Sequence, residues 1–393
     1  MKTNIAYHAD CEIKLKEFEE NSIDTCITDP PYGISFMGKA WDYDIPSVDV
    51  FKEILRVLKP GAFLLCFGGT RTFHRMAVNI EDAGFEIRDT LMYLYGSGFP
   101  KSYNISKGID NSKGLQREII GTQKTNVGMK GNNFNNNSET GEVEITKPAC
   151  QESKEWEGYG TALKPAFEPI IMAMKPVDKN FVSNALKHGV AGLNIDASRV
   201  GTEEREYKGA GKSPNKINNH SVGDTGIGML GGTGKDLIFN VKGRHPANII
   251  HDGSEEVVKE FPDSISLGGS GSVGAFREGK IFGKGGDKSL LKGLGYNDSG
   301  SASRFFYCAK VSSSERGDLT HPTMKPIALI EYLVRLTKTP KGGIVLDPFA
   351  GTGTTGLACK IVGREYILIE KKEEYYTMLL NRLKNQKIQR KLF

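Results

Sequence analysis

The first hundred residues alternate short apolar runs with amphipathic stretches, the pattern left by strands and helices taking turns in an α/β sheet. Residues 24–28 read as a strand that runs directly into Asp29-Pro30-Pro31-Tyr32-Gly33, where two prolines end it. The spacing predicts a helix over 46–58: proline suits a first turn, Val48, Phe51, Ile54, Leu55 and Leu58 share a face, and Pro60-Gly61 stops it. A strand over 62–67 follows. Gly68-Gly69-Thr70 leads to a helix ending near Ala83, and 85–95 supplies another extended segment, which completes βαβαβ.

The last ninety residues resume the same alternation. Pro326 opens a helix with Ile327, Ile330, Leu333 and Val334 on its apolar side, and Gly342-Gly343 precede a strand over 344–346. A glycine loop, a helix near 354–362, a strand over 365–369 ending in Glu370 and an amphipathic helix through about Asn385 come next. The simplest architecture joins both ends into one Rossmann-like, mostly parallel sheet with helices on both faces. Between them, 22 of the 47 glycines fall from Gly201 to Gly300, which marks a loop-rich insertion. A polar stretch over 126–144, rich in asparagine, has too few apolar residues for a core and is expected to be mobile. The expected division is a catalytic half over 1–176 with a mobile loop over about 104–160, a target-recognition region over 177–302, and a cofactor-binding half over 303–393.

Composition narrows the classes. A chain of 393 residues is long enough to build a core without disulfide support. The six cysteines are scattered, with no C-x-x-C pair and no histidines at ligand spacing, so neither zinc nor a disulfide framework is expected, and no metal. No run approaches the roughly 18 apolar residues of a membrane span, and charges scattered through the N-terminus argue against a secretory signal. The expected location is the cytoplasm, with no membrane partner. A net charge of +5 neither demands nor excludes nucleic acid.

Two motifs carry chemistry. Gly351-Thr352-Gly353-Thr354-Thr355-Gly356 places glycines at G-x-G-x-x-G spacing between a strand and a helix, and Glu370 lies at the end of the next strand. Glycines there let a nucleotide-like ligand approach the backbone, while the carboxylate accepts from ribose hydroxyls. Alone, this fingerprint fits an NAD-dependent oxidoreductase. Asp29-Pro30-Pro31-Tyr32 points elsewhere: the Asp29 carboxylate and the Pro30 carbonyl can both accept from an exocyclic amine, the prolines preorganise them, and Tyr32 offers a face for a base taken out of the duplex.

With these segments and His321-Pro322-Thr323-Met324-Lys325-Pro326, the chain resembles the S-adenosylmethionine-dependent DNA amino-methyltransferases of the permuted beta class. Asp10, residues 21–24 and residues 56–61 extend the likeness, and residues 160–169 and 243–248 are similar to its phage-associated branch. The resemblance implies S-adenosylmethionine as cofactor, with Phe349, Gly351 and Gly353 along its methionine portion, Glu370 on its ribose, Asp10 near its adenine, Thr323 and Lys325 near its carboxylate end, and Asp347 and Thr354 also among the cofactor-binding residues. It implies Asp29, Pro30, Pro31 and Tyr32 as the catalytic tetrad and double-stranded DNA as partner. Aspartate at the head of the tetrad favours adenine N6, because serine there usually accompanies cytosine N4. Alternatives are N4 methylation of cytosine, RNA methylation and a DNA-binding module without catalysis. In the insertion, Lys242, Arg244, Lys280 and Lys284 are candidate phosphate contacts. A homodimer is left open, as are the recognised sequence and a companion nuclease.

Overall fold

The computed structural model describes residues 2–33, 44–96, 98, 102–124, 142–208, 238–266, 298–309 and 324–385. The N-terminal part forms β1 (Ile5–His8), α1 (Cys11–Lys14), β2 (Ile23–Thr28), α2 (Val48–Val57), β3 (Leu58–Phe67), α3 (Phe73–Asp82) and β4 (Glu86–Leu94). Then come α4 (Ile105–Ser112), β5 (Glu118–Lys124), β6 (Glu142–Lys147), α5 (Gln151–Glu155), β7 (Phe167–Met174) and α6 (Phe181–His188). The middle of the chain adds β8 (Val200–Lys208), β9 (Ile238–Arg244), β10 (Ile249–His251), α7 (Glu255–Val258), β11 (Asp263–Ser266), β12 (Asp298–Ser301) and β13 (Tyr307–Cys308). The C-terminal part is α8 (Ile327–Leu336), β14 (Ile344–Asp347), α9 (Thr354–Val362), β15 (Glu365–Glu370) and α10 (Glu373–Asn385).

Nine strands make one sheet in the order β1-β15-β14-β2-β3-β7-β4-β10-β13, parallel throughout except for β7, which runs antiparallel to both neighbours. The two ends of the chain therefore meet at the β14–β2 pair, as the shared alternation requires. Central strands of such a sheet are covered on both sides and read as continuous apolar runs. In β3, Phe63, Leu65 and Phe67 join the core under α8, α9 and α10, while Leu64 and Cys66 join the core under α2 and α3. No described helix is long and apolar enough to cross a membrane.

Three expectations need correction. The 104–160 segment, expected as a mobile loop, carries α4, the antiparallel β5–β6 pair and α5 in its described part. Its organiser is polar: the fully buried Asp110 carboxylate accepts from the Ala149 amide at 3.1 Å and pairs with Arg117 at 3.5 Å, so hydropathy gave no sign of it. Residues 125–141, which include most of the asparagine-rich stretch, lie outside the described residues. Part of the 177–302 segment joins the main sheet, where β10 lies between β4 and β13. The simple βαβαβ order is also interrupted, since β7 inserts between β3 and β4.

Candidate active site

Parallel strands deliver their carboxyl ends to one edge, and open α/β sheets bind ligands there. Asp10 follows β1, Glu370 ends β15, Asp347 ends β14, Asp29 follows β2 and Phe67 ends β3; all five line one cavity of about 560 Å³. Phe349, Gly351, Thr354 and Lys325 line it too, with apolar surface from Ile27, Val50 and Ile330. Pro31 belongs to the lining, whereas Pro30, Tyr32 and Gly353 stand outside it.

The glycine loop is fixed by carboxylates. Glu370 Oε2 accepts from the Gly351 amide at 2.8 Å and Oε1 from the Lys372 amide at 2.7 Å, while burial pushes its carboxyl up. Asp347 accepts from the Thr28 hydroxyl at 2.8 Å, the Phe349 amide at 3.1 Å and the Thr355 hydroxyl at 2.6 Å. Burial nonetheless raises its pKa to about 7, outweighing those donors. Asp10 caps α1 by accepting from the Glu12 amide, and its pairing with Lys371 at 2.8 Å holds its carboxyl below the usual range.

At the other end of the cavity Asp29 is gripped on both oxygens. The Tyr32 hydroxyl donates to Oδ1 at 2.7 Å, and Lys325 Nζ donates to Oδ2 at 2.7 Å and to the Tyr32 oxygen at 3.1 Å. Glu168 Oε2 lies 3.5 Å from the same ammonium. Burial works against the Lys325 charge, but Asp29 and Glu168 outweigh it and hold its pKa above the ordinary value. Lys325 was expected near a cofactor carboxylate; it lines the cavity, but its ammonium is committed to Asp29.

A DNA methylase family model matches residues 23–381. The chain belongs to this family of DNA methylases. Among its relatives, the type II methyltransferase M.HinfI of Haemophilus influenzae is 44% identical over 73 residues, 19% of this chain and 20% of that protein. The type II methyltransferase M2.DpnII of Streptococcus pneumoniae is 44% identical over 63 residues, 16% of this chain and 23% of that protein. The chain thus matches less than a quarter of either relative's length. Among solved structures, M1.HpyAVI in complex with S-adenosylmethionine superposes with a TM-score of 0.40 at 16% identity, covering 96% of this chain and 98% of that one. PvuII DNA methyltransferase, cytosine-N4-specific, gives 0.44 at 14% identity, covering 98% of this chain and 89% of that one.

In this member of the family, Glu168 is a site residue that the motifs did not assign. It lay in the 160–169 stretch already quoted for its likeness, but its placement depends on β7 running antiparallel, which brings the start of that strand to the edge where the other strands end. Thr28 and Thr355, which hold Asp347, were also missed. Of the candidate phosphate contacts, Arg244 sits with its guanidinium 4.4 Å from the centre of the Phe305 ring, a cation–π position. Lys242 belongs to β9, its side chain not being described, while Lys280, Lys284 and Thr323 lie outside the described residues. Among the described residues no group of three or more His, Cys, Asp or Glu is arranged to hold a metal ion.

Proposed function

We propose that this chain transfers a methyl group from S-adenosylmethionine to the exocyclic amine of a base in double-stranded DNA, with adenine N6 as the target. The observation that carries this reading is that Asp29, on the loop leaving β2, and the glycine loop leaving the adjacent β14 line one cavity. The cavity's chemistry fits the cofactor. Gly351 has φ +51 and nothing within 4 Å of where a Cβ would stand, so the loop leaves open space for a ligand. Phe349 and Val50 offer apolar contact, and the acceptors Glu370 and Asp10 suit ribose hydroxyls and an adenine amine. Phe349, Gly351 and Thr354 would hold the methionine portion beside Asp347. When bound, S-adenosylmethionine supplies a methyl carbon made electrophilic by its sulfonium.

The chain's own groups do the rest. Asp29 accepts from the amine and aims its lone pair, and Pro30 and Pro31 restrict the loop so that this aim is set before the base arrives. The Tyr32 hydroxyl and Lys325 hold the Asp29 carboxylate in place. Asp29 then takes the proton that the methylated amine releases. Cytosine N4 is the second reading, because the matched family takes in N4 as well as N6 methylases.

Calorimetric titration with S-adenosylmethionine and with NAD, followed by transfer of a labelled methyl group to DNA or RNA, tests this. Saturable S-adenosylmethionine binding and labelled DNA are expected. Binding of NAD alone, or label confined to RNA, would reject the reading.

A further inference from the structure

A lysine at 8% exposure must find partners for its charge or lose it. Lys325 has three ammonium hydrogens, and this cluster offers three acceptors: Asp29 Oδ2 at 2.7 Å, the Tyr32 oxygen at 3.1 Å and Glu168 Oε2 at 3.5 Å. None is left over for a ligand's carboxylate. The ammonium also lies 5.1 Å from the centre of the Phe67 ring and 5.4 Å from that of Tyr32, within cation–π range of both.

Resting on the methyltransferase reading, we infer that Lys325 is a positioning residue for Asp29, held in place by Glu168, and not a residue of the cofactor's carboxylate end. Each carboxylate oxygen can accept two hydrogen bonds. With Tyr32 on Oδ1 and Lys325 on Oδ2, one acceptor direction per oxygen stays open for the target amine while the carboxylate cannot rotate. Glu168 comes from the antiparallel β7 and supplies the second negative charge that keeps the cation at this point. Burial and the Asp29 charge push the Glu168 carboxyl up, with Lys325 opposing; Tyr93 of β4 stands opposite Glu168 in the ladder, and the Glu168 charge in turn raises the Tyr93 and Tyr95 hydroxyls.

The test measures transfer from labelled S-adenosylmethionine to unmethylated genomic DNA by the wild-type chain, Lys325→Met, Glu168→Gln and the double variant. Lys325→Met is expected to lower kcat at saturating cofactor by about 100-fold, the scale of a misplaced reacting group. Its KM for the cofactor is expected to stay within about threefold of wild type, because the lost interaction is one with Asp29. Glu168→Gln is expected to lower kcat by roughly tenfold, and to add nothing in the Lys325→Met background, because it acts through the ammonium. A raised cofactor KM with kcat retained in Lys325→Met would place the ammonium at the cofactor and overturn the inference. So would additive effects in the double variant. Should Lys325→Met lose its cooperative melting transition, Lys325→Gln replaces it; if both unfold, wild-type kcat in Glu168→Gln overturns the inference and a fall upholds it. No transfer by the wild-type chain would instead reject the methyltransferase reading itself.

Discussion

Asp347 is the residue at which burial and function pull hardest against each other. An unfolded aspartate titrates near pH 4, whereas this one titrates at about 7. Between those values the folded chain keeps a proton that the unfolded chain has released, so its contribution to stability falls as pH rises and is lost above the folded pKa. The wild-type chain should therefore gain more in melting temperature than Asp347→Asn when pH is lowered from about 8 to about 5. Equal gains would show that Asp347 is ionised throughout. The same carboxylate ties β14 to β2 through the Thr28 hydroxyl, and the glycine loop to α9 through Thr355. Its charge state thus bears on the shape of the cofactor loop as well as on stability. At this scale the tetrad and the loop acids were readable, because each sits at the end of a predicted strand. Glu168 was not, because no local pattern reveals which way a distant strand runs.

Among the elements, the loop between β14 and α9 shows why its glycines are not equivalent. Gly353 has φ +81, and a Cβ there would come 2.7 Å from Leu379 Cγ of α10. Gly356 has no room either: its Cβ would lie 2.7 Å from Leu368 Cδ1 of β15, so the helix rests directly on the strand. Gly351, at φ +51, faces open space. Gly353→Ala should accordingly cost about 1–3 kcal/mol of stability through backbone strain and the clash together. Gly351→Ala should cost about 1–2 kcal/mol from the backbone alone and weaken S-adenosylmethionine binding, its methyl group intruding on the cavity. Thermal melting and calorimetry separate the two, and undiminished S-adenosylmethionine binding by a folded Gly351→Ala chain would contradict the assignment. The central helices and strands were legible because 3.6-residue and continuous apolar patterns persist in α2, β3, α8 and α9. The 104–160 elements were hidden, since a buried Asp110–Arg117 pair, not an apolar face, organises them.

Seen as a whole molecule, the sheet explains how two ends of one chain make one site. Pairing of β14 with β2 sets the glycine loop beside the Asp29 loop, so the proposed cofactor and target amine share one cavity although about 320 residues separate the motifs in sequence. The middle of the chain is tied to the same sheet by β10, so the segment proposed for target recognition is anchored to the strands that carry the site. Composition had suggested a separate insertion because glycine-rich segments mask a three-residue strand. The central claim, that Asp29 directs methyl transfer to an adenine amine in DNA, is tested most directly by mass spectrometry of nucleosides from unmethylated genomic DNA after incubation with labelled S-adenosylmethionine and either the wild-type chain or Asp29→Ala. Labelled N6-methyladenine from the wild type, and none from an Asp29→Ala chain that still binds cofactor, is the predicted result; N4-methylcytosine as the product, or undiminished N6-methyladenine from the variant, would contradict it.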